Sequence, residues 1–213
     1  MPITVNYQSQ IKIRQIGLGL WWRWLIATWG GFVTSLFWIE IGERPDLGII
    51  EGIIGSMAIA TPQYLILKPY IYQASWWIFA TVISWGLIWL SGLGLVGWIA
   101  PQTLQLSLRF LYGIVNGAQL GLCLGIGQWL ILKQHIPHAQ KWIWVSVLSW
   151  AVGLSIGWTI GGVFRQFTHL FIGDVFGLAV TWLIVGGMTG YALMRLLYFL
   201  PIDIEPNHII NPK

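Results

Sequence analysis

The segment Gln63-Tyr-Leu-Ile-Leu-Lys68 recurs further along the chain as Gln128-Trp-Leu-Ile-Leu-Lys133, at an offset of 65. At the same offset, without a gap, the match continues through Ala74, Trp77-Ile78, Val82, Ser84-Trp85 and Gly92. An apolar bias alone would match Leu with Ile, but it would not readily place Gln, Lys, Ser, Trp and Gly in one register. Self-similarity at a fixed period indicates repeated structural units. The sequence therefore predicts an internal duplication.

The composition around this repeat is that of a membrane protein. Of the 213 residues, 56% are hydrophobic and only 8% are charged, and the mean hydropathy is +0.71. Soluble domains carry about 25% charged residues, so a soluble globular class is excluded, and the apolar, aromatic composition also excludes disorder. The 11 basic residues are scattered rather than clustered, which argues against a nucleic-acid partner.

Six apolar runs are long enough for membrane helices, which need about 20 residues each. The predicted fold is all-α, with six transmembrane helices in a single domain over 1–213. Residues 1–18 form an amino-terminal segment, 19–198 the bundle and 199–213 a tail. The predicted spans are 19–39, 48–68, 76–98, 109–132, 142–164 and 174–198.

Basic residues predict the orientation, since Lys and Arg are retained on the cytoplasmic side. Eight fall on the side of the two termini, namely Lys12, Arg14, Arg23, Lys68, Lys133, Lys141, Arg195 and Lys213. Three fall on the other side, namely Arg44, Arg109 and Arg165. We therefore predict a multi-pass protein of the cell (plasma or inner) membrane with both termini cytoplasmic.

Small residues step by four along three of the predicted helices, which keeps them on one helix face. The stripes are Gly113, Gly117, Gly121 and Gly125; Gly48, Gly52, Ser56 and Ala60 at the offset of 65; and Gly153, Gly157 and Gly161. Such stripes let membrane helices approach closely, as in GxxxG packing. They predict helix-packing seams.

The repeating unit is a hairpin of two spans, present about three times. An even number of spans inserts successive units the same way up, so the repeats are expected to be parallel, about an axis along the membrane normal. The first helix shares Trp24-Leu-Ile-Ala27-Thr28 with Trp77-Ile-Phe-Ala80-Thr81, a shorter match. Pseudo-threefold packing is the hypothesis, and a linear row of hairpins is the alternative.

Polar residues inside spans are candidate ligand-binding residues, because they are costly in hydrocarbon. Gln63 follows Pro62 and Gln128 follows Gly127, and both neighbours weaken a helix. The glutamines are candidates for binding a small ligand or ion, and an interhelical hydrogen bond is the alternative. Glu51 and Asn116, equivalent at the offset of 65, are further candidates. Glu51 is expected either in the head-group zone or paired within the bundle, with Arg109 as a candidate partner. Asp174 suits a helix amino terminus.

Tryptophan is abundant, with 16 residues. Seven fall at the cytoplasmic starts of helices 1, 3 and 5 and predict a head-group belt: Trp21, Trp22, Trp24, Trp76, Trp77, Trp142 and Trp144. Trp85 and Trp150 lie about two turns deeper. They are candidates for lining a pocket for a flat lipophilic molecule, with simple packing as the alternative.

No motif identifies a catalytic, metal or nucleotide site. The sequence has no G-x-S-x-G, H-E-x-x-H or Walker loop. His135 and His138 do not make a metal site by themselves, and the single Cys123 has no partner for an internal disulfide. The sequence identifies no cofactor.

The Gly-rich run ending in Gln128-Trp129-Leu-Ile-Leu-Lys133, followed by Trp142 and Ser149-Trp150, resembles a motif of small uncharacterised bacterial multi-pass membrane proteins, some of them from photosynthetic bacteria. Pro62 and Tyr64 depart from it in the earlier copy. The resemblance implies a multi-pass fold and carries no activity with it.

The expected function is a non-enzymatic scaffold, assembly factor or complex subunit. Its expected partners are membrane lipids and a membrane protein, with a lipid or lipophilic cofactor as a further candidate. A small-solute or ion transporter using Gln63 and Gln128 is the alternative, and a membrane enzyme is third. A continuous polar cavity at the glutamines would favour transport, and a packed interior would favour the scaffold.

Overall fold

The computed structural model describes residues 7–41 and 47–198, with side chains for 17–41 and 47–197. Most of the predicted segment 1–18 and all of the tail 199–213 lie outside these side-chain ranges. The described chain is all-helical and forms six helices: α1 (Tyr7–Ser35), α2 (Ile49–Leu67), α3 (Trp76–Leu90), α4 (Leu106–Leu132), α5 (Lys141–Thr168) and α6 (Ile172–Tyr198).

Four of these helices, α2, α4, α5 and α6, are long and apolar enough to cross a membrane. Their length and composition indicate a membrane protein. The other two differ from them: α1 has 29 residues but is not among the four, and α3 has only 15 residues.

The six helices form a closed ring. Each helix packs against the next one in the chain, and α1 packs against α6. The predicted alternative of a linear row of hairpins is therefore wrong for the described helices, because a row would leave α1 and α6 apart.

Two hydrophobic clusters define the ends of the ring and the directions of the helices. One cluster contains Trp24, Trp77 and Trp142, from the starts of the odd-numbered helices, together with Leu67, Leu132 and Leu193, from the ends of the even-numbered ones. The other contains Phe32, Trp85 and Trp150, together with Ile59, Leu120 and Leu178. The odd-numbered helices therefore run one way and the even-numbered helices run the other way. We call the end with the first cluster the lysine end, because α2 and α4 finish there at Lys68 and Lys133.

The two turns at the lysine end have the same backbone hydrogen bonds, position by position. Ile71 N–H donates to Leu67 and Trp77 N–H to Ala74, just as Ile136 donates to Leu132 and Trp142 to Ala139. Gln73 and His138, which correspond at the repeat offset, both adopt a positive φ, of 55° and 57°. The matching sequence of the two turns therefore gives matching backbone geometry.

The predicted span 76–98 is wrong in its second half. The helix ends at Leu90, and Gly92 and Gly94 adopt positive φ values of 81° and 67°, a conformation that favours glycine. At 1.5 Å per residue, α3 is about 22 Å long, which is shorter than the hydrocarbon core of about 30 Å. The chain continues as an irregular segment, 91–105, which we call the plug loop.

The plug loop folds into the ring at the end opposite the lysine end. Leu95, Val96, Trp98 and Ala100 are buried there. Irregular backbone at membrane depth is tolerated only where protein covers it, and here side chains of the ring bond its carbonyl groups. Trp182 Nε1 donates to Gly97, Trp158 Nε1 to Ile99, and the Arg109 guanidinium to Pro101 and Thr103.

Glycines on α4 and α5 lie where neighbouring backbone comes closest. A Cβ atom at Gly113, Gly117 or Gly121 would overlap the α5 backbone at Ser155, Trp150 or Ser146, and one at Gly125 would lie 3.0 Å from Ile143 Cα. On the other side of α5, a Cβ at Gly157 would meet Thr181 and Gly177, while one at Gly153 or Gly161 would contact Thr181 or Asp174. These glycines therefore set the spacing within α4–α5–α6.

The predicted seam on α2 is different. Gly48 is the N-cap residue of α2, and a Cβ on it would approach Glu51 of the same helix. Gly52 faces the side chain of Leu95 in the plug loop, at 3.0 Å. Gly48 and Gly52 thus do not face a neighbouring helix as predicted, because the plug loop occupies that position.

We predict that Gly117→Ala lowers the free energy of unfolding by about 1–3 kcal/mol, the usual cost of overpacking, because its Cβ would overlap Trp150 of α5. Thermal unfolding in detergent measures this. Gly86→Ala is the matched control, since a Cβ there has nothing within 4 Å. Equal melting temperatures for both variants would contradict the assigned helix spacing.

Candidate functional site

The two predicted glutamines are buried and make the same pair of hydrogen bonds. Gln63 accepts from Trp77 Nε1 at 3.0 Å and donates to Thr28 Oγ1 at 2.9 Å. Gln128 accepts from Trp142 Nε1 at 3.0 Å and donates to Thr81 Oγ1 at 3.2 Å. Each amide therefore joins its own helix to the helices before and after it in the ring.

On α6, a threonine accepts the hydrogen bond from an indole in place of a glutamine. The next position after Gln128 at the repeat offset is Leu193, which has no polar side-chain atom. Trp24 Nε1 of α1 donates instead to Thr189 Oγ1, at 3.0 Å, and Thr189 in turn donates to Val185 O of its own helix. An indole from each of the three odd-numbered helices thus has a polar acceptor on an even-numbered helix.

These three indoles meet one another at the lysine end. Ring centroids are 5.7 Å apart for Trp24–Trp77, 6.2 Å for Trp24–Trp142 and 5.7 Å for Trp77–Trp142, all edge-to-face. We call them the tryptophan triad. Edge-to-face contacts are a favourable aromatic geometry, and all three side chains are buried. The triad closes the centre of the ring at this end.

The prediction that these three residues belong to a head-group belt is wrong. Trp22, Trp76 and Trp144 are exposed, as belt residues would be, whereas Trp24, Trp77 and Trp142 are 1%, 0% and 1% exposed. Their neighbours in sequence are tryptophans too, and clustering by sequence does not separate the inward face of a helix from its outward face. Helix periodicity would have separated Trp22 from Trp24 and Trp76 from Trp77.

A second aromatic layer lies deeper, on the side of the plug loop. Trp85 and Trp150, both predicted site residues, have ring centroids 6.0 Å apart. Trp182 lies 4.8 Å from Trp150, and Trp98 lies 4.8 Å from Trp85. Phe32 stacks on Trp182 at 5.6 Å. The space beside Trp85 and Trp150 is thus filled by other aromatic rings of the chain.

Between the two aromatic layers lies a small internal cavity of about 30 Å³. Its polar lining comes from Gln63, Gln128, Thr28, Thr81, Ser146 and Thr189, and rings of the triad and of the second layer complete it. A buried water needs about 10–15 Å³ of such volume. The cavity therefore has room for about one to three waters and not for a larger solute.

Sequence reasoning missed several of these residues. Thr28 and Thr81 were part of the short match between helices 1 and 3, and that match carried the signal: a Trp-x-x-x-Thr pair on one helix face in each case. Trp98 and Trp182 had no such signal, because no repeat position relates them and their contacts join distant parts of the chain.

The other polar candidates lie elsewhere. Glu51 and Asn116 are partly exposed and do not line the internal cavity. Arg109 does not pair with Glu51 as predicted. It is fully buried and donates to Asp174 Oδ1, while Arg165 donates to Asp174 Oδ2 at 2.8 Å. Asp174 lies in the first turn of α6, as expected. Its two ion pairs, with Arg109 and with Arg165, join α4, α5 and α6 beside the plug loop.

Two larger cavities open on the outside of the ring. One is a groove of about 730 Å³ between α1 and α2, and the other is a groove of about 470 Å³ between α3 and α4. Their linings are almost wholly apolar. These two larger cavities thus face outward, and the small polar cavity faces inward.

Metal-ligand residues do not gather in the described part of the chain: no three His, Cys, Asp or Glu side chains come together there. No family model, curated protein or solved structure matches this chain.

We predict that Gln128→Leu lowers the free energy of unfolding by about 1–3 kcal/mol, since it leaves the buried indole N–H of Trp142 unpaired. Thr81→Val replaces the other partner with a side chain of similar shape. In a double-mutant cycle measured by unfolding in detergent, the pair should couple by about 0.6 kcal/mol, with an upper range near 2.

The matched control is Gln119→Leu, the same substitution at an exposed position of α4. It should change stability by less than about 0.5 kcal/mol. Strict additivity of Gln128→Leu and Thr81→Val would contradict the hydrogen bond, and an equal loss in the control would contradict the buried position of Gln128.

Proposed function

We propose that this protein is a non-enzymatic integral membrane protein that serves as a scaffold, an assembly factor or a complex subunit. The observation that carries the proposal is the filled interior: two aromatic layers enclose a cavity of about 30 Å³. A protein built in this way offers its outer surface, and not its centre, to other molecules.

The proposed topology has six membrane crossings, arranged as three hairpins inserted in the same sense, with both termini in the cytoplasm of a cell or inner membrane. Three observations support the hairpin repeat: the equal hydrogen bonds of Gln63 and Gln128, the equal backbone bonds of the two turns, and the alternating helix directions. The glycine positions support close packing of α4, α5 and α6 as the seam that stiffens the ring. In this proposal α3 and the plug loop together make one crossing.

We also propose, from the motif around Gln128, that the chain is related to small bacterial multi-pass membrane proteins. The resemblance carries no activity and no residue roles.

A transporter is the second candidate, and the polar lining of the internal cavity is the observation that favours it. A solute crossing the ring would pass the glutamines, but it would first have to separate the tryptophan triad and then the second layer. The first step would expose the indole N–H groups that are paired with Gln63, Gln128 and Thr189. The second would break the ring contacts among Trp85, Trp150 and Trp182. Packed interiors resist such changes, so the scaffold explains the structure better.

We predict that deleting the gene in the native organism lowers the amount of one specific membrane complex, because that complex loses its scaffold. Quantitative mass spectrometry of membranes and native gel electrophoresis measure the loss. Re-expression of the tagged wild-type protein should restore the complex and recover it with the tag at a fixed stoichiometry.

Purified protein in liposomes supplies the opposing measurement. The scaffold proposal predicts no flux of Na⁺, K⁺ or protons above that of empty liposomes. Unchanged membrane complexes in the deletion strain, together with an ion flux that Gln128→Leu abolishes, would overturn the scaffold in favour of the transporter.

A further inference from the structure

The two outer grooves occupy corresponding places on the chain. On the α1 wall, the first groove is lined by Ile26, Ala27, Gly30, Gly31 and Thr34. On the α3 wall, the second groove is lined by the residues at an offset of 53 from these, namely Phe79, Ala80, Ile83, Ser84 and Leu87. On the other wall, Ala58, Thr61 and Pro62 of α2 correspond at the repeat offset to Cys123, Ile126 and Gly127 of α4. The same surface feature is thus formed twice.

The contact between α5 and α6 differs from these two. There Gly153 and Gly157 let α6 come so close that a Cβ on either would contact Thr181. Grooves therefore lie between α1 and α2 and between α3 and α4, whereas α5 and α6 pack closely around Gly153 and Gly157.

Each groove has a cation at the lysine end. Lys68 lies seven residues after Thr61 on α2, and Lys133 lies seven residues after Ile126 on α4. This spacing places each lysine about two turns further along the helix face that lines the groove. Both are exposed. Arg23, also exposed, precedes Ile26 by about one turn on the α1 wall. The corresponding position of the third hairpin is Tyr198 in the sequence.

The acidic residues of the described chain lie at one end of the bundle. Among the described side chains the acidic residues are Glu40, Glu51 and Asp174, all on α2, α6 or the α1–α2 connection at the end of the bundle opposite the lysine end. A groove with apolar walls along its length and a cation at one end is complementary to an amphiphile with an anionic head and a hydrocarbon tail. Basic sites between transmembrane helices on the cytoplasmic side bind anionic lipid head groups in this way.

We propose that each outer groove binds one anionic phospholipid, with an acyl chain in the groove and the phosphate on the cation at the lysine end. Lys68 and Arg23 hold the head group at the α1–α2 groove, and Lys133 holds it at the α3–α4 groove. The expected stoichiometry is two lipids per chain. The lipid sites do not depend on the scaffold proposal, since a transporter could bear them equally well.

A transmembrane helix of a partner is the competing occupant. Its apolar side chains would fill the walls of a groove, but they would leave the lysine without an anionic partner. Lys133 Nζ lies 4.6 Å from the ring centroid of Trp129, a residue that does not line the groove, and this contact leaves the ammonium charge in place for a head group. The recurrence of a lysine with each of the two grooves therefore favours a lipid.

The test titrates the purified full-length chain in detergent with phosphatidylglycerol or phosphatidylcholine and counts bound lipids by native mass spectrometry. We expect two phosphatidylglycerol molecules per chain, bound more tightly than phosphatidylcholine. Lys133→Gln should weaken one of the two sites about fivefold, since one basic residue contributes about 1 kcal/mol to anionic-lipid binding. Lys141→Gln, at an exposed lysine that begins α5, is the matched control and should leave both sites unchanged.

A second variant tests the groove independently of charge. Gly30 lines the first groove, and a Cβ atom on it would have nothing within 4 Å, so Gly30→Leu adds an apolar side chain at the groove from an open position and should abolish one bound lipid, with the melting temperature measured alongside to show that the protein stays folded. Gly86→Leu makes the same change at another open helical position that lines neither groove. Equal binding of the two lipids, or equal effects of the variants and their controls, would overturn the proposal.

Discussion

Nearly every polar side chain buried inside the ring has to find a partner within the chain, and this requirement governs the structure; of the described residues, Ser149 has a buried hydroxyl without one. Lipid offers no hydrogen bonds, so a polar atom buried in a membrane protein depends on its neighbours. Indole groups meet the requirement economically, because each brings a large apolar surface and a single N–H donor. Nine tryptophans of the described chain donate that N–H to an acceptor in the chain: Trp21, Trp24, Trp29, Trp77, Trp89, Trp98, Trp142, Trp158 and Trp182.

The glutamines follow from this rule. Gln63 and Gln128 each supply an acceptor for an indole and a donor for a threonine hydroxyl, so the triad is held from the even-numbered helices. At the opposite end the acceptors are backbone carbonyls of the plug loop, which pair with Trp158, Trp182 and Arg109. The irregular loop is thereby accommodated inside the ring, and both ends of the bundle are closed by bonded aromatic rings.

Helix spacing decides where the outer surface is open. Glycines let α4, α5 and α6 approach closely. Grooves remain on the outside between α1 and α2 and between α3 and α4, where small residues such as Ala27, Gly30 and Ala80 line the walls. Small side chains therefore allow close helix packing at one place and leave open space on the outer surface at another.

Much of the helical architecture was predictable from sequence, because hydropathy and fixed spacing are local signals. The runs 48–68, 109–132 and 142–164 correspond closely to α2, α4 and α5, and the polar residues between them form the turns. Gln63 and Gln128 were found because a polar residue is conspicuous in an apolar run. The alternative that they serve as interhelical hydrogen bonds agrees with their observed contacts.

The unpredicted features all depend on pairing between distant residues. The early end of α3 depends on Gly92 and Gly94 and on ring side chains that bond the plug loop. The Arg109–Asp174 pair joins residues of α4 and α6. Three tryptophans assigned to the head-group belt lie in the core, because the face of the helix on which a residue lies decides its burial, and its neighbours in sequence do not. Local patterns carry no information about these partners.

The most direct test of a sealed, internally bonded interior is the exchange of the Trp77 and Trp142 indole N–H protons with solvent, followed by NMR of indole-¹⁵N-labelled protein in micelles. If the interior is sealed, these two protons exchange as slowly as the most protected backbone amides, and Gln128→Leu selectively accelerates exchange at Trp142. Rapid exchange of both protons in the wild-type protein would show that water reaches the glutamines through the ring, and it would rule out a sealed interior.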